Sequence, residues 1–137
     1  GLEHPVYWRR ADDGWKQRHF DVWRTLQLIA GLDDAQMMGP RLDIVNPLRW
    51  EIGHTAYFYE YWVLRQHLGA PPVLAQADAL YDSISIAHDT RWDLPLPDLA
   101  ATLGYMREVQ ARVCQHLEQD PADPRREYLS QYAIFHE

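Results

Sequence analysis

Apolar residues recur at three- and four-residue intervals in four stretches of the chain, and the residues between them carry turn chemistry, so four helices are predicted. The first covers residues 20–32, with Val22, Leu26, Ile29 and Ala30 on one stripe, and it fades at Gly31 and the Gly39-Pro40 pair. The second opens at Asn46-Pro47, an N-cap residue followed by proline at the first helical position. It meets no breaker until Gly69, where Pro71-Pro72 forbid continuation. Trp50, His54, Tyr57, Phe58, Tyr61 and Leu68 follow one stripe of this helix; Leu48, Ile52, Tyr59, Trp62 and Val63 occupy another. A helix apolar around so much of its circumference is expected to be largely buried.

Residues 70–97 read as a long connection punctuated by Pro71, Pro72, Pro95 and Pro97, with a helical turn or two around Ala75 to Tyr81. A connection of that length in a small domain often carries function. The third helix starts near Asp98 as N-cap and repeats Leu99, Leu103, Met106, Val109 or Gln110, Val113 and Leu117 at close to the ideal period. The fourth begins around Asp123-Pro124 and turns Leu129, Tyr132, Ala133 and His136 inward. No alternating strand pattern is sustained and no internal repeat is visible. The predicted class is all-α, a four-helix bundle.

Composition narrows the partners. The 137 residues suffice for one core, and 47% hydrophobic content fills it. A formal charge of -7 leaves no basic stripe to neutralise phosphates, which argues against nucleic acid and anionic membrane surfaces as partners. No apolar run approaches the roughly 20 residues that span a bilayer. No secretory leader is visible, and the single Cys114 lies in an amphipathic pattern without a flanking basic cluster, so it reads as a small buried hydrophobe rather than a nucleophile. A cytoplasmic protein is expected.

Metal sites in helical bundles are assembled from side chains pointing inward from facing helices. His54 shares a stripe with Trp50 and Tyr57, and His136 lies one turn beyond Tyr132, so both are aimed at the interior. Three nitrogen donors with open positions would suit iron(II) or zinc better than calcium or magnesium. From spacing alone the plainer reading stands beside this one, since a single histidine on an apolar face is usually a hydrogen-bonded core residue. His4, His19, His67 and His116 have polar neighbours and read as solvated; His88, in the long connection, reads as a loop cap before a ligand or substrate contact. The rings of Tyr57, Phe58, Tyr59, Tyr61 and Trp62 could line a pocket for a methylated ammonium, with core packing as the default.

The run Asn46-Pro47-Leu48-Arg49-Trp50-Glu51-Ile52-Gly53-His54, followed by Phe58, Glu60, Tyr61 and Trp62, resembles the DinB-like N-terminal domain of the iron-dependent ergothioneine and selenoneine synthases, a sulfoxide synthase-like family. Leu80-Tyr81-Asp82-Ser83 and His88-Asp89-Thr90-Arg91-Trp92-Asp93-Leu94-Pro95-Leu96-Pro97 are more similar to its selenoneine branch. With Phe135-His136-Glu137 the likeness covers residues 24–137. The resemblance implies a non-haem iron, Fe(II), held by three histidines, of which two match His54 and His136. The third would lie four residues after His136, beyond Glu137. It also implies oxygen-dependent formation of a carbon-sulfur or carbon-selenium bond at the imidazole C2 of hercynine, a trimethylated histidine, with a selenium or sulfur donor as second substrate.

Residues 1–23, including Pro5-Val6-Tyr7-Trp8-Arg9-Arg10, Trp15, Arg18, Phe20, Asp21 and Trp23, look like part of the family's C-terminal, formylglycine-generating-enzyme-like domain. The resemblance therefore implies that a C-terminal domain of the same polypeptide completes the active site and that the 24–137 part alone is inactive. In the family that segment comes long after the DinB-like part, so residues 1–23 read either as a rearrangement or as a separate piece of the polypeptide, with an N-terminal arm of chance similarity as the plainer alternative; if separate pieces are joined, the backbone is discontinuous near Trp23 to Thr25. His54 and His136 are expected to converge. The rival readings are a stand-alone DinB-fold, metal-dependent thiol transferase and a non-catalytic helical module.

Overall fold

The structure, a computed structural model, describes residues 26–119, apart from the side chains of Leu117 and Glu118. The predicted fourth helix, His136, and the junction near residues 23–25 lie outside the described residues. These divide into two units, Leu32–Val113 and the flanking segments on either side. Every regular element among them is helical, as the all-α reading expects. Residues 26–29 form the end of the first predicted helix, which stops at Gly31 with φ 88°.

Within Leu32–Val113, α1 is a short helix, Asp34–Met38, that the periodicity did not reveal. Its cause is local chemistry: the Gln36 amide donates to the Asp33 carboxylate at 2.8 Å, and the Asp33 amide donates to Gln36 Oε1 at 2.9 Å. This reciprocal capping box satisfies two orphan amides. The helix buries Met37 completely and ends at Gly39, whose φ of 60° suits a residue without a Cβ.

The central helix α2 spans Leu48–Tyr59. Pro47, not Asn46, is its N-cap, with ψ 133°, and no side chain caps it. Asn46 is used elsewhere, as described below. The helix continues through Glu60–His67 with i→i+5 hydrogen bonding, exemplified at its end by the Leu68 amide donating to Val63 O at 3.1 Å. Wide turns insert extra residues and rotate the positions that follow. Of the predicted inward stripe up to Phe58, Trp50 and Tyr57 are buried and His54 and Phe58 are half-buried. Beyond it Val63 and Leu64 are buried, whereas Tyr61 and Leu68 are half-buried and Trp62 is 39% exposed. Gly69, at φ 67°, and Pro71-Pro72 end the helix where expected.

The wide-turn segment begins with a buried carboxylate. Glu60 is fully enclosed, its Oε1 accepting from the amides of Val73 at 2.9 Å and Leu74 at 3.4 Å, its Oε2 from the Tyr105 hydroxyl at 2.8 Å. Two backbone amides and a phenol hydroxyl thus satisfy the buried carboxyl group. It ties the start of the long connection and the last helix to the central one. Glu60→Ala would leave the Val73 and Leu74 amides without their acceptor, and a loss of about 1–3 kcal/mol in urea unfolding is expected.

The connection contains α3, Ala77–Tyr81, near the predicted helical turn, and a single 3-10 turn, His88–Thr90. Asp82 ends α3 by accepting from the Ile84 amide at 3.0 Å and the Ser85 hydroxyl at 2.6 Å. The last described helix, α4, is Leu99–Gln119. Asp98 caps it as expected, accepting from the Ala101 amide at 2.8 Å. Asp34 of α1 accepts from the Leu99 amide at 2.6 Å and from Arg49 of α2 at 2.7 Å, joining three elements at one carboxylate. The buried core of this unit comprises Trp50, Ile52, Ala56, Tyr57, Val63 and Leu64 from the central helix, Leu80 and Tyr81 from α3, and Tyr105, Met106 and Val109 from α4.

Candidate metal-ligand site

His54 is positioned by a two-pronged contact between α2 and α3. The Trp50 indole N–H donates to Leu80 O at 2.8 Å, and one turn later His54 Nδ1 lies 2.8 Å from Tyr81 O. These successive carbonyls belong to the last turn of α3, where a helix has no acceptors' partners of its own. A carbonyl can only accept, so Nδ1 carries a proton, and in the neutral ring the lone pair then lies on Nε2. Among the described residues nothing else hydrogen-bonds to this ring. The imidazole also stacks on Trp50, with ring centroids 4.6 Å apart and planes inclined by 11°. An oriented, half-buried imidazole with one nitrogen fixed to a backbone carbonyl and the other open is the arrangement in which histidine binds a transition metal.

Gly53 permits the approach of the two helices. A Cβ at this position would fall 2.3 Å from Cε1 and Cζ of Tyr81 and 2.6 Å from its hydroxyl oxygen. The Tyr81 ring is wholly buried and lies nearly parallel to that of Tyr105, with centroids 6.0 Å apart.

Residues 82–93 are tied back over the start of α2 by one arginine. Arg91, only 9% exposed, donates through Nη1 to Asn46 Oδ1 at 2.9 Å and through Nη2 to Ile86 O at 3.1 Å and Ser83 O at 3.3 Å. Its guanidinium carbon sits 4.0 Å from the centroid of the Trp50 ring. Asn46, released from capping, passes its own amide N–H to Glu51. His88 Nε2 donates to Val45 O at 2.6 Å and its ring meets the edge of Trp92, so this histidine does hold a loop in place. Arg41 secures the same segment through Asp93 at 2.6 Å.

The tyrosines near His54 are proton donors rather than bases. Burial raises the Tyr81 phenol above its ordinary value, a shift that Thr102 and Arg49 partly oppose. Tyr105 is raised further, by burial and then by the Glu60 carboxylate to which it donates. Burial and the neighbouring Asp78 raise Tyr57, while Arg65, bound to both Asp78 oxygens at 2.5 and 3.1 Å, holds that acid below the usual carboxylate range. All three phenols therefore stay protonated at neutral pH.

The aromatic group on the central helix packs on itself. Tyr61 and Trp62 meet edge to face at 5.0 Å, and Phe58 lies 6.4 Å from Trp62. The cation over Tyr61 is the protein's own Arg65, 5.2 Å from the ring centroid, which favours the packing reading over a ligand pocket. Cys114 is buried, in keeping with its reading as a small hydrophobe. His67 and His116, expected in solvent, are half-buried.

Of the expected ligand pair, His54 is described and His136 lies outside the described residues, as does their convergence. Among the described residues no three His, Cys, Asp or Glu side chains gather into a metal cluster. The sequence reading missed the Leu80 and Tyr81 carbonyls, the buried Glu60 and the contact between Arg91 and Trp50. Only the charged residue within an apolar helical run, Glu60, left a visible signal.

Known proteins place this geometry in a family. The model for the DinB superfamily matches residues 23–135. A hercynine oxygenase of Mycolicibacterium smegmatis is 31% identical over 102 residues, 73% of this chain and 24% of that protein. The hercynine oxygenase of Mycobacterium tuberculosis is also 31% identical over 102 residues, with the same coverage, and that of Mycolicibacterium thermoresistibile is 29% identical. The matched part of the chain spans about a quarter of the length of these curated relatives. No helix among the described residues is long and apolar enough to cross a membrane. Matched by the family model over most of its length, the chain belongs to the DinB superfamily.

Proposed function

We propose that the chain is the helical metal-binding part of a non-haem iron, oxygen-dependent oxidoreductase that acts on hercynine and forms a carbon-selenium or carbon-sulfur bond at its imidazole. The observation that carries the reading is the state of His54: Nδ1 is committed to the Tyr81 carbonyl and, among the described residues, Nε2 has no hydrogen-bond partner. The identity to three hercynine oxygenases supports hercynine as the substrate class. In this reading His54 and His136 are two of three histidine ligands to Fe(II), and the third follows His136 by four residues. Bound iron would supply the oxygen and one-electron chemistry that these side chains cannot. The part of the chain described above contributes ligand orientation and a dry, aromatic support behind the ligand, with the Tyr81 carbonyl holding the proton on Nδ1 throughout.

Substrate-binding groups and an acid would come from the remaining length of the polypeptide, for which residues 1–23 and their resemblance to the C-terminal domain are a pointer. The enzyme would work in the cytoplasm. Of the two chalcogens, selenium has the likeness of residues 80–83 and 88–97 to the selenoneine branch in its favour. The test is turnover of hercynine and oxygen by the full-length protein, stripped of metal and reloaded, with thiol and selenium donors in equal amounts. Iron, but not zinc, is expected to restore activity, and the donor found in the product decides between selenium and sulfur. A carbon-sulfur product alone would remove the selenium reading, and no hercynine product from the iron-loaded protein would remove the function.

A further inference from the structure

We infer that Arg91 is a positioning residue for His54, acting through the Trp50 ring, so that residues 82–93 and the ligand histidine hold one another's geometry. The inference rests on the reading of His54 as a metal ligand. Arg91 and His54 are 37 positions apart (91 minus 54) and do not bond to each other; each contacts the same indole. The guanidinium lies 4.0 Å from the Trp50 centroid, and the imidazole stacks on Trp50 at 4.6 Å. Trp50 is in turn fixed at its nitrogen by Leu80 O, the neighbour of the carbonyl that holds His54 Nδ1. Rotating the imidazole would break both its stack and its hydrogen bond, and moving the indole would disturb the stack.

The partners of Arg91 point to such a role. A nearly buried cation is costly unless its charge is compensated, and a scaffold arginine ordinarily finds a carboxylate. Among the described residues Arg91 has none: it bonds to the Asn46 amide oxygen and two backbone carbonyls, and its Nε has no partner. The aromatic face of Trp50 is thus the electron-rich surface on which its charge rests. Its planar fork lets one side chain grip Asn46 at the start of α2, the Ser83 and Ile86 carbonyls of the connection, and the indole together. A lysine could keep the charge over the ring but not this set of directed bonds.

The test uses the full-length protein and two readouts. In the metal-free state, nitrogen-15 NMR of the imidazoles reports the His54 tautomer, assigned by its loss in His54→Ala; anaerobic titration with Fe(II) alone reports affinity. Arg91→Met is expected to replace the single Nδ1–H tautomer with a mixture and to weaken Fe(II) binding about 10–100-fold. Arg91→Lys is expected to fall between Arg91→Met and the wild type on both readouts. Arg41→Met, which disturbs the same segment without touching Trp50, is expected to change neither. A folded Arg91→Met protein with the wild-type tautomer would overturn the inference, whether or not its affinity falls. If Arg91→Met does not fold, Arg91→Lys decides: a wild-type tautomer and affinity in that variant would also overturn it. Undiminished Fe(II) binding by His54→Ala would instead remove the ligand reading itself.

Discussion

In the full-length protein, His54→Ala is expected to abolish stoichiometric iron binding and, with it, oxygen-dependent turnover. Alanine deletes the imidazole whose Nδ1 is anchored 2.8 Å from Tyr81 O and whose Nε2 has no hydrogen-bond partner among the described residues. In the proposed site three neutral nitrogens would become a pair, which holds iron(II) poorly against water and competing metals. The fold should survive the change. His54 is half-buried, so water can replace the lost donor to Tyr81 O, and the hydrogen bond itself contributes only about 0.5–1.5 kcal/mol. Metal analysis after desalting, turnover, and thermal unfolding of the same sample separate ligand loss from unfolding. Retained iron and activity would show that His54 is the hydrogen-bonded core histidine of the plainer reading.

Gly53→Ala is expected to destabilise the protein even though alanine is the better helix former. Propensity alone favours the substitution by about 1 kcal/mol. Packing opposes it, because the new methyl would sit 2.3 Å from ring carbons of Tyr81, and that ring is wholly buried beside Tyr105 with no flexible end to swing aside. The helices α2 and α3 would have to separate. Overpacking of this kind costs about 1–3 kcal/mol, so a net loss is expected in urea unfolding. Because Tyr81 also supplies the carbonyl that anchors His54, iron affinity should fall with stability. Gly104→Ala on α4 is the control: nothing lies within 4 Å of its added Cβ, and there a gain of about 0.5–1 kcal/mol is expected. Equal effects at the two glycines would show that the contact with Tyr81 is not what fixes residue 53.

What the sequence made legible is what short-range chemistry decides. Gly69 with Pro71-Pro72 stopped the central helix, and Asp98 capped the last one, because these signals act within a few residues. The capping box at Asp33 and Gln36 was equally local, but α1 has only five residues, too few to show a period. From Glu60 the turns widen, and a 3.6-residue period cannot anticipate that change. The role of Glu60 is not legible locally because its donors lie 13, 14 and 45 positions away. His54 illustrates the limit for the site. Its apolar setting marked it as a candidate ligand, whereas the nitrogen it presents depends on a carbonyl 27 positions later.

The most direct test of His54 as a ligand is a crystal structure of the full-length protein with iron bound, the metal located by its anomalous scattering. Iron is expected within about 2.0–2.2 Å of His54 Nε2, by analogy with other metal-imidazole bonds, with His136 as a second ligand. Nδ1 of His54 is expected to remain hydrogen-bonded to Tyr81 O. Iron bound at a site without His54, or bound through Nδ1 with the Tyr81 contact broken, would contradict the assignment.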